Sequence, residues 1–298
     1  MKATAEETIQ SIYPLSPAQQ GMLFHSLSEN QSGVYIVQVG FNLRGPLNPE
    51  AFKAAWGSLV CQHDVLRTAF VWKQVDAPVQ VVGRNATPAI TLLDWQDKFA
   101  LAGQPTNPGD IPDYLEWLRA DRRRGFDPRA APLMRIHAIR LAPELTRVVW
   151  TYHHLILDGW SLPLLFKAWV AAYQTERDGI PASSRGQEGL PFATYINWLN
   201  EQPVDRSRTY WQNHLGDFNE PTLFGIKSDN RSDAGVAAEC RRLSASQTDR
   251  LQNRARKERV TLSTIVQGAW ALLLSHHSGK DDVVFGVARS GRSPDLPG

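Results

Sequence analysis

Cysteine is nearly absent: the 298 residues contain two, Cys61 and Cys240, far apart in the chain. Two distant cysteines argue against a disulfide framework or a cysteine-based zinc site, and they favour a reducing compartment, so we expect a cytoplasmic protein. No apolar run reaches the ~20 residues that cross a bilayer, and the N-terminal segment MKATAEETIQSIYP lacks the apolar core of a signal peptide. We therefore expect no membrane partner.

The chain also lacks an excess of either charge sign, with 32 basic and 30 acidic residues. This balance argues against nucleic acid as a partner by bulk charge. The largest basic cluster follows an apolar stretch and precedes Gly125; it consists of Arg119, Arg122, Arg123 and Arg124. Cations are favoured at the last turn of a helix. The cluster is therefore interpreted as a solvated helix end or, alternatively, as a docking patch for an acidic protein.

What the chain does contain is a mixture of strand and helix patterns without an internal repeat. MRIHAIRL (134–141) alternates in polarity, RVVWTYHH (147–154) is continuously apolar enough for a buried strand, and DDVVFGVAR (281–289) also predicts a strand. Ser16-Pro17 and Asn48-Pro49 are typical helix starts. These patterns predict an α/β protein with an N-terminal lobe at 1–178, a Gly/Ser/Pro-rich linker at 179–190 and a second lobe at 191–298.

The strongest candidate for chemistry is the segment His153-His154-Leu155-Ile156-Leu157-Asp158-Gly159, between a buried strand and a long predicted helix. Side chains of neighbouring strand residues point to opposite faces, so only one of the two histidines can face a given pocket. An imidazole is the usual group for proton transfer near neutral pH. The pattern thus predicts one structural and one chemically available histidine.

Two other interpretations of this segment stay open at this point. A metal could bind two histidines and an aspartate, but adjacent strand histidines diverge and no third well-spaced ligand stands out, so we expect no metal. A histidine in an apolar strand can also be a hydrogen-bonded core residue. The chain supplies a comparison, because His276-His277-Ser278-Gly279-Lys280-Asp281 has the same HHxxxD pattern at the end of a predicted helix, where Gly and His are typical of a helix stop.

The wider sequence resembles the condensation domains of nonribosomal peptide synthetases. YHHLILDGWS (152–161) resembles their HHxxxDG core motif. Further segments resemble the family's motifs in the family's order: YPLSPAQQGMLFHSL (13–27), HDVLRTAF (63–70), RGFDPRAAPLMR (124–135), PFATYINWL (191–199), YWQNHLGDFNEPTLF (210–224) and VVFGVARSGRSPDLPG (283–298). Ordered matches along nearly the whole chain are far more specific than any single one.

The resemblance implies a chloramphenicol acetyltransferase-like fold of two lobes in a V, with the active site at their junction. It implies peptide-bond formation between a donor acyl thioester and an acceptor aminoacyl thioester. Both are carried on the 4'-phosphopantetheine arms of peptidyl carrier proteins, beside adjacent synthetase domains, with no cofactor bound to the domain itself.

Site residues also follow from the resemblance. His154 would face the substrates, either as a general base or by orienting the amine and stabilising the charged intermediate, and His153 would support the loop. Asp158 would pair with an arginine, Arg292 or else Arg67. Gly159 would permit a tight turn near the ligand or be an ordinary turn glycine. The remaining candidates lie near the substrate channel: His25 (or a buried helix histidine), Trp160 as a packing residue and Ser161 as a helix cap.

The chain departs from the family in length, because it stops before later motifs and the elements that roof the tunnel. We therefore expect the second lobe to be incomplete and the chain to be a truncated domain. Two alternatives remain beside a peptide-bond-forming enzyme: a non-catalytic fragment that docks carrier proteins, and another acyltransferase of the same fold that uses a soluble thioester.

Overall fold

The chain forms two compact units. Its described residues contain both helices and strands, which confirms the predicted α/β class. The structure, a computed structural model, describes residues 8–28, 33–179, 189–224, 239–292 and 296. The first unit is Met1–Gln202 with Ser290–Gly298, and the second is Pro203–Arg289. The predicted linker at 179–190 lies mostly outside the described residues, so the predicted lobe boundaries stay a prediction, while the compact units divide after Gln202.

The described residues of the first unit form two sheets and six α-helices. The strands are β1 (Ile9–Pro14), β2 (Ile36–Arg44), β3 (Thr68–Val71), β4 (Val79–Gly83), β5 (Ala89–Asp94), β6 (Met134–Ala142) and β7 (Leu145–His153). The helices are α1 (Pro17–Ser28), α2 (Pro49–Gln62), α3 (Gln96–Leu101), α4 (Tyr114–Arg124), α5 (Ser161–Asp178) and α6 (Phe192–Asn200). The smaller sheet has the order β1-β4-β3 and the larger one β2-β7-β6-β5, in which β5 and β6 are parallel and the other neighbours antiparallel.

Both predicted helix starts occur, each with a side-chain cap. The Asn48 carboxamide oxygen accepts the N–H groups of Glu50 and Ala51, and the Ser16 hydroxyl accepts the N–H of Gln19 at 3.2 Å. Gln19 returns the contact, because its Oε1 accepts the N–H of Ser16 at 2.9 Å. This reciprocal pair is a capping box, which satisfies two backbone donors at the start of α1.

One face of the larger sheet carries the main hydrophobic core. Trp150 of β7 packs against Trp56 of α2 with ring centroids 5.1 Å apart, and Trp56 lies 5.3 Å from Trp169 of α5. All three side chains are buried. The even-numbered residues of β7 therefore fix this strand against two helices, and the odd-numbered residues point to the other face.

The other face carries a buried polar cluster centred on Asp121 of α4. Arg135 Nε donates to Asp121 Oδ1 at 2.6 Å, and the Thr151 hydroxyl and the Gln38 amide donate to Oδ2 at 2.7 and 2.9 Å. Burial raises the pKa of Asp121, but hydrogen bonds from His137, Arg135 and Thr151 outweigh this effect and hold it well below its usual range. The cluster fixes α4 to three strands of the sheet.

The basic cluster of the sequence ends α4, as the helix-end interpretation predicts. The helix stops at Arg124, and Gly125 follows with φ of 57°. Glu116, in the first turn of the same helix, accepts from Arg123 at 2.8 Å. The alternative interpretation as a docking patch stays a prediction.

The second unit, in its described part, contains three helices: α7 (Val204–Leu215), α8 (Ala245–Lys257) and α9 (Leu262–Ser278). Ser244 opens α8 with a second capping box, formed with Gln247. The strand predicted at 281–289 is wrong, since 283–290 have no regular secondary structure. The Val284 N–H donates to the Thr222 hydroxyl at 3.0 Å instead of to a strand. A strand needs a neighbour for its backbone groups, and the described residues of this unit form no other strand.

The described residues offer neither a membrane-spanning helix nor a metal-binding cluster. Within those ranges, no helix combines the length and the apolar character that crossing a bilayer requires. The same ranges hold no group of three or more His, Cys, Asp and Glu side chains arranged to bind a metal ion.

Candidate active site

The candidate site lies where β7 ends and the chain turns toward α5. β7 ends at His153, and residues 154–160 form the loop that we call the HH loop. The Val149, Thr151 and His153 side chains share the face of the sheet that carries the Asp121 cluster, because residues two apart on a strand point the same way. The strand ends before His154. The alternation of strand side chains between the two faces of the sheet therefore does not fix the direction of the His154 side chain.

His153 is a buried residue with both ring nitrogens in contact. Its side chain is 2% exposed. The Leu155 N–H donates to Nδ1 at 3.1 Å, and Nε2 lies 3.1 Å from the Ser26 hydroxyl of α1. Because Nδ1 accepts, the neutral ring carries its proton on Nε2 and donates to Ser26, whose own hydroxyl donates to Met22 O at 2.7 Å. In this tautomer His153 cannot take a proton from Ser26.

Burial also decides the charge of His153. Desolvation, helped by the neighbouring His154, lowers the pKa of His153 to about 4. The ring is therefore neutral near pH 7 and joins α1 to the end of β7. These contacts support the predicted supporting role of His153.

His154 is half-buried, and among the described residues its backbone is hydrogen-bonded while its ring is not. Its N–H donates to Tyr35 O at 2.8 Å, and Tyr35 itself has a left-handed φ of 61°. A non-glycine residue in this region is uncommon and is found where the surroundings hold it. Among the described residues, the buried Nδ1 of His154 has no hydrogen-bond partner. The backbone thus presents an imidazole whose tautomer no described side chain sets.

Asp158, near the end of the HH loop, accepts hydrogen bonds from the first residue of α5. Its Oδ1 accepts the Ser161 N–H at 2.8 Å and also the Ser161 hydroxyl. Arg292 Nη2 lies 3.5 Å from the same Oδ1 and donates to the Ser161 hydroxyl at 3.2 Å. Arg292, predicted as the partner of Asp158, therefore contacts it. The pair is partly exposed, with 37% of the Asp158 side chain accessible, so it contributes less than a buried pair would.

The alternative prediction, that Arg67 pairs with Asp158, is wrong. Arg67 is 5% exposed and its guanidinium contacts Asp64, three residues earlier, at 2.5 Å. It also donates to Val60 O and to Gln10 Oε1. A buried arginine with these partners belongs to the small sheet and not to the HH loop.

Four smaller predictions meet different outcomes. Trp160 is 67% exposed, so it is not the packing residue that we expected. Ser161 is the first residue of α5 and donates to Asp158 instead of capping the helix itself. His25 is exposed on α1, so the buried alternative for it is wrong. A Cβ added to Gly159 would meet no atom within 4 Å, and its φ is not left-handed, so the fold alone does not require glycine there.

Two residues were not predicted from the sequence, both on α1: Ser26, which contacts His153, and Gln19, which contacts the HH loop. Gln19 Nε2 donates to Leu155 O at 3.1 Å, across 136 residues of sequence. The S-x-x-Q spacing from Ser16 to Gln19 indicates a capping box. It gives no sign that the amide of the same glutamine reaches the loop.

The comparison with known proteins places these residues in a family. A family model described as "Condensation domain" matches residues 9–296, nearly the whole chain. The chain belongs to the condensation-domain family. Residues 153–159, which resemble the family's HHxxxDG motif, lie within the matched range.

Relatives of this condensation domain are segments of long synthetases. It is 40% identical over 295 residues to a component of the linear gramicidin synthase of Brevibacillus parabrevis, covering 98% of this chain and 4% of the relative. It is 31% identical over 303 residues to bacitracin synthase 3 of Bacillus licheniformis, covering 100% of this chain and 5% of the relative. The chain thus spans a small part of the curated relatives that it matches.

Solved structures show the same fold. The first condensation domain of the calcium-dependent antibiotic synthetase, in complex with a substrate analogue, matches with a TM-score of 0.67 at 18% identity, covering 92% of this chain and 63% of that one. A variant of the starter condensation domain of rhizomide synthetase matches with a TM-score of 0.64 at 18% identity, covering 92% and 61%. The predicted chloramphenicol acetyltransferase-like fold class is confirmed by these matches.

Proposed function

We propose that this condensation domain joins two carrier-bound substrates through a peptide bond. The amine nitrogen of an acceptor aminoacyl group attacks the carbonyl carbon of a donor thioester. The C–N bond forms, the C–S bond breaks, and the sulfur of the donor arm leaves and takes up the proton that the amine loses. The lengthened acyl group then rests on the acceptor arm. The family match and the presentation of His154 support this function.

The observation that carries the proposal is the placement of His154 at the end of β7. Its two sequence neighbours are engaged with the protein: His153 with Ser26, and Leu155 with Gln19. His154 is held through its backbone alone, at Tyr35 O. A ring that the fold positions and leaves without a side-chain partner suits contact with a substrate.

The unpaired Nδ1 favours one of the two predicted roles. As a general base, His154 would become a charged imidazolium whose buried Nδ1–H has no acceptor among the described residues, and an unpaired buried group costs more in a charged ring than the ~1–3 kcal/mol of a neutral one. With the proton on Nε2, His154 donates to a substrate oxygen instead. We therefore propose that His154 donates from Nε2 and stabilises the negative charge on the attacked carbonyl oxygen.

The partners follow from the same proposal. Donor and acceptor carrier proteins bring their substrates on 4'-phosphopantetheine arms, and neighbouring synthetase domains load them. The domain needs no bound cofactor for this reaction, because the thioester is already activated. Two free, exposed cysteines, Cys61 and Cys240, support a reducing cytoplasmic location.

The test is a reconstituted condensation. This chain is mixed with a donor-loaded and an acceptor-loaded carrier protein, and the intact mass of the acceptor is followed. We expect the acceptor mass to rise by the donor acyl group. No rise would favour a non-catalytic fragment that docks carriers, and a rise with a soluble acyl thioester as donor would favour another acyltransferase.

Two variants separate the roles of His154. His154→Gln keeps an N–H donor but has no basic nitrogen, whereas His154→Ala keeps neither. If His154 acts by donating, the glutamine variant retains at least about tenfold more activity than the alanine variant, which is the value of one hydrogen bond. Equal loss in both variants would instead identify His154 as the base.

A further inference from the structure

Helix α1 contacts both sequence neighbours of His154, the ring of His153 and the backbone of Leu155. On one side, the Ser26 hydroxyl accepts from the His153 ring. On the other, Gln19 Nε2 donates to the Leu155 carbonyl oxygen at 3.1 Å. Gln19 is 4% exposed, so this contact is shielded from water. The residue that carries the proposed chemistry therefore lies between two residues that one helix holds.

The amide of Gln19 has both of its ends occupied. Its Oε1 accepts from Ser16 N at 2.9 Å and from Gln80 Nε2 at 3.1 Å. Its Nε2 donates to Leu155 O at 3.1 Å and to Gln80 Oε1 at 3.3 Å. Gln80, fully buried on β4, also donates to Pro14 O at 2.9 Å. One amide thus links the cap of α1, the small sheet and the HH loop.

We propose that Gln19 is a positioning residue for His154, acting through the carbonyl of Leu155. This inference rests on the proposed function for the role of His154 itself. A capping box needs only an acceptor at this position, which glutamate supplies as well as glutamine. The contact with Leu155 O needs a donor, which only the amide supplies. The side chain at position 19 therefore caps α1 through Oε1 and donates through Nε2 to Leu155 O and Gln80 Oε1. Substitution by glutamate keeps the acceptor and removes the donor.

The chain contains its own control for the capping function. Ser244 and Gln247 form the same S-x-x-Q box at the start of α8, where Gln247 Oε1 accepts from Ser244 N at 2.9 Å. This box is exposed, and within the described residues the Gln247 amide nitrogen contacts no other segment. Gln19→Glu and Gln247→Glu are thus the same substitution at the same capping position, but only Gln19→Glu is buried and removes the donor to Leu155 O and Gln80 Oε1.

The first measurement is hydrogen exchange in a peptide covering 153–161, followed by mass spectrometry on the full chain. We expect Gln19→Glu to raise exchange in this peptide by at least about tenfold, because a shielded hydrogen bond is lost and a carboxylate faces a carbonyl oxygen. Gln247→Glu leaves it at the wild-type rate. The same rate in wild type and both variants, or an equal rise in every peptide of the first unit, would overturn the proposal.

Protonation of the new carboxyl group at low pH should restore the contact with Leu155 O in Gln19→Glu. A general loss of stability would not be reversed in this way. Burial raises the pKa of a carboxyl group, and its protonated form can donate to Leu155 O. The ratio of Gln19→Glu exchange to wild-type exchange at the same pH should therefore fall as the pH is lowered from about 8 to about 5. If Gln19→Glu does not fold, Gln19→Met paired with Gln247→Met gives the same comparison without a buried charge, and an unchanged loop in Gln19→Met would overturn the proposal.

Activity supplies the readout for positioning. In the reconstituted condensation, Gln19→Glu should lower kcat about tenfold or more and leave KM for the loaded carriers unchanged, since the surface of the protein is not altered. If the wild-type chain forms no product, the proposed function fails while the exchange comparison still tests the contact. If the loop loosens and kcat does not change, Gln19 holds the loop but does not position His154.

Discussion

The two copies of HHxxxD in this chain differ in almost every structural respect. His153 is the last residue of a strand buried on both faces and His154 follows it, whereas His276 and His277 lie in the last turn of α9. His153 is 2% exposed with both nitrogens in contact, while His276 and His277 are both exposed. His277 stacks on Phe224 with ring centroids 4.6 Å apart. The same sequence pattern therefore forms a loop after a strand in one unit and the end of a helix in the other.

The aspartates of the two copies differ as well. Asp158 holds the first N–H of α5 and contacts Arg292. Asp281 is exposed, and within the described residues its carboxylate has no hydrogen bond or ion pair. Gly279, with φ of 68°, ends α9 and turns the chain before that aspartate can meet the helix. The comparison teaches that the element preceding the histidines, and not the pattern, decides what the motif can do.

The largest expected difference between the two copies is the effect of their second histidines, His154 and His277, on the condensation rate. His154→Ala should lower the condensation rate by about 10²-fold or more, since it removes the positioned group, while the unfolding transition stays close to wild type. His277→Ala, its counterpart at the end of α9, should change the rate little. Turnover measured for both variants under identical loading decides this. Comparable losses in the two variants would mean that the helix-end copy also takes part.

The first histidines should differ in how pH affects stability. The folded pKa of His153 is about 4, below the ~6.5 of an exposed histidine, so between these values the unfolded state binds more protons. The free energy of unfolding should therefore fall as pH drops from about 6.5 to about 4, by about 3 kcal/mol from this group. Urea unfolding of His153→Gln should show a smaller fall than wild type.

His276→Gln is the control for that measurement, because it makes the same substitution at the exposed first histidine of the other copy. His63, whose pKa burial also lowers, contributes in the same pH range, so the quantity that decides is the difference between variant and wild type. If His153→Gln keeps the full wild-type dependence on pH, His153 is not the neutral, buried ring that its contacts indicate.

Local patterns predicted the parts of this site that depend on neighbouring residues. The apolar run at 147–154 predicted a buried strand, and Asn48-Pro49 predicted a capped helix; both occur. Arg67 was assigned wrongly because its nearest carboxylate, that of Asp64, lies three residues away and satisfies it within its own turn. Trp160 was assigned wrongly because the composition of a helix start does not reveal which face is covered.

Contacts between segments that are distant in the sequence could not be predicted from local patterns. Gln19 and Leu155 are separated by 136 residues, and no periodicity links them. The strand β1 was missed because only Tyr13 of its residues is buried, so it lacks a continuous apolar face. Conversely, the apolar run at 283–287 predicted a strand whose partner does not occur in the described part of its unit. Pairing, unlike propensity, depends on the rest of the fold.

The aspartates should give the smallest of the three differences. Asp158→Ala removes the acceptor at the start of α5 and should lower the free energy of unfolding by about 1 kcal/mol, whereas Asp281→Ala should change it by less than about 0.5 kcal/mol. Asp158→Asn keeps the acceptor and loses the charge, so it should lie close to wild type if the helix start matters more than the partly exposed pair with Arg292. An asparagine variant as unstable as the alanine variant would assign the effect to the ion pair. If Asp158→Ala is instead fully stable but inactive, the carboxylate acts on the chemistry itself, and the comparison with Asp281 no longer concerns structure alone.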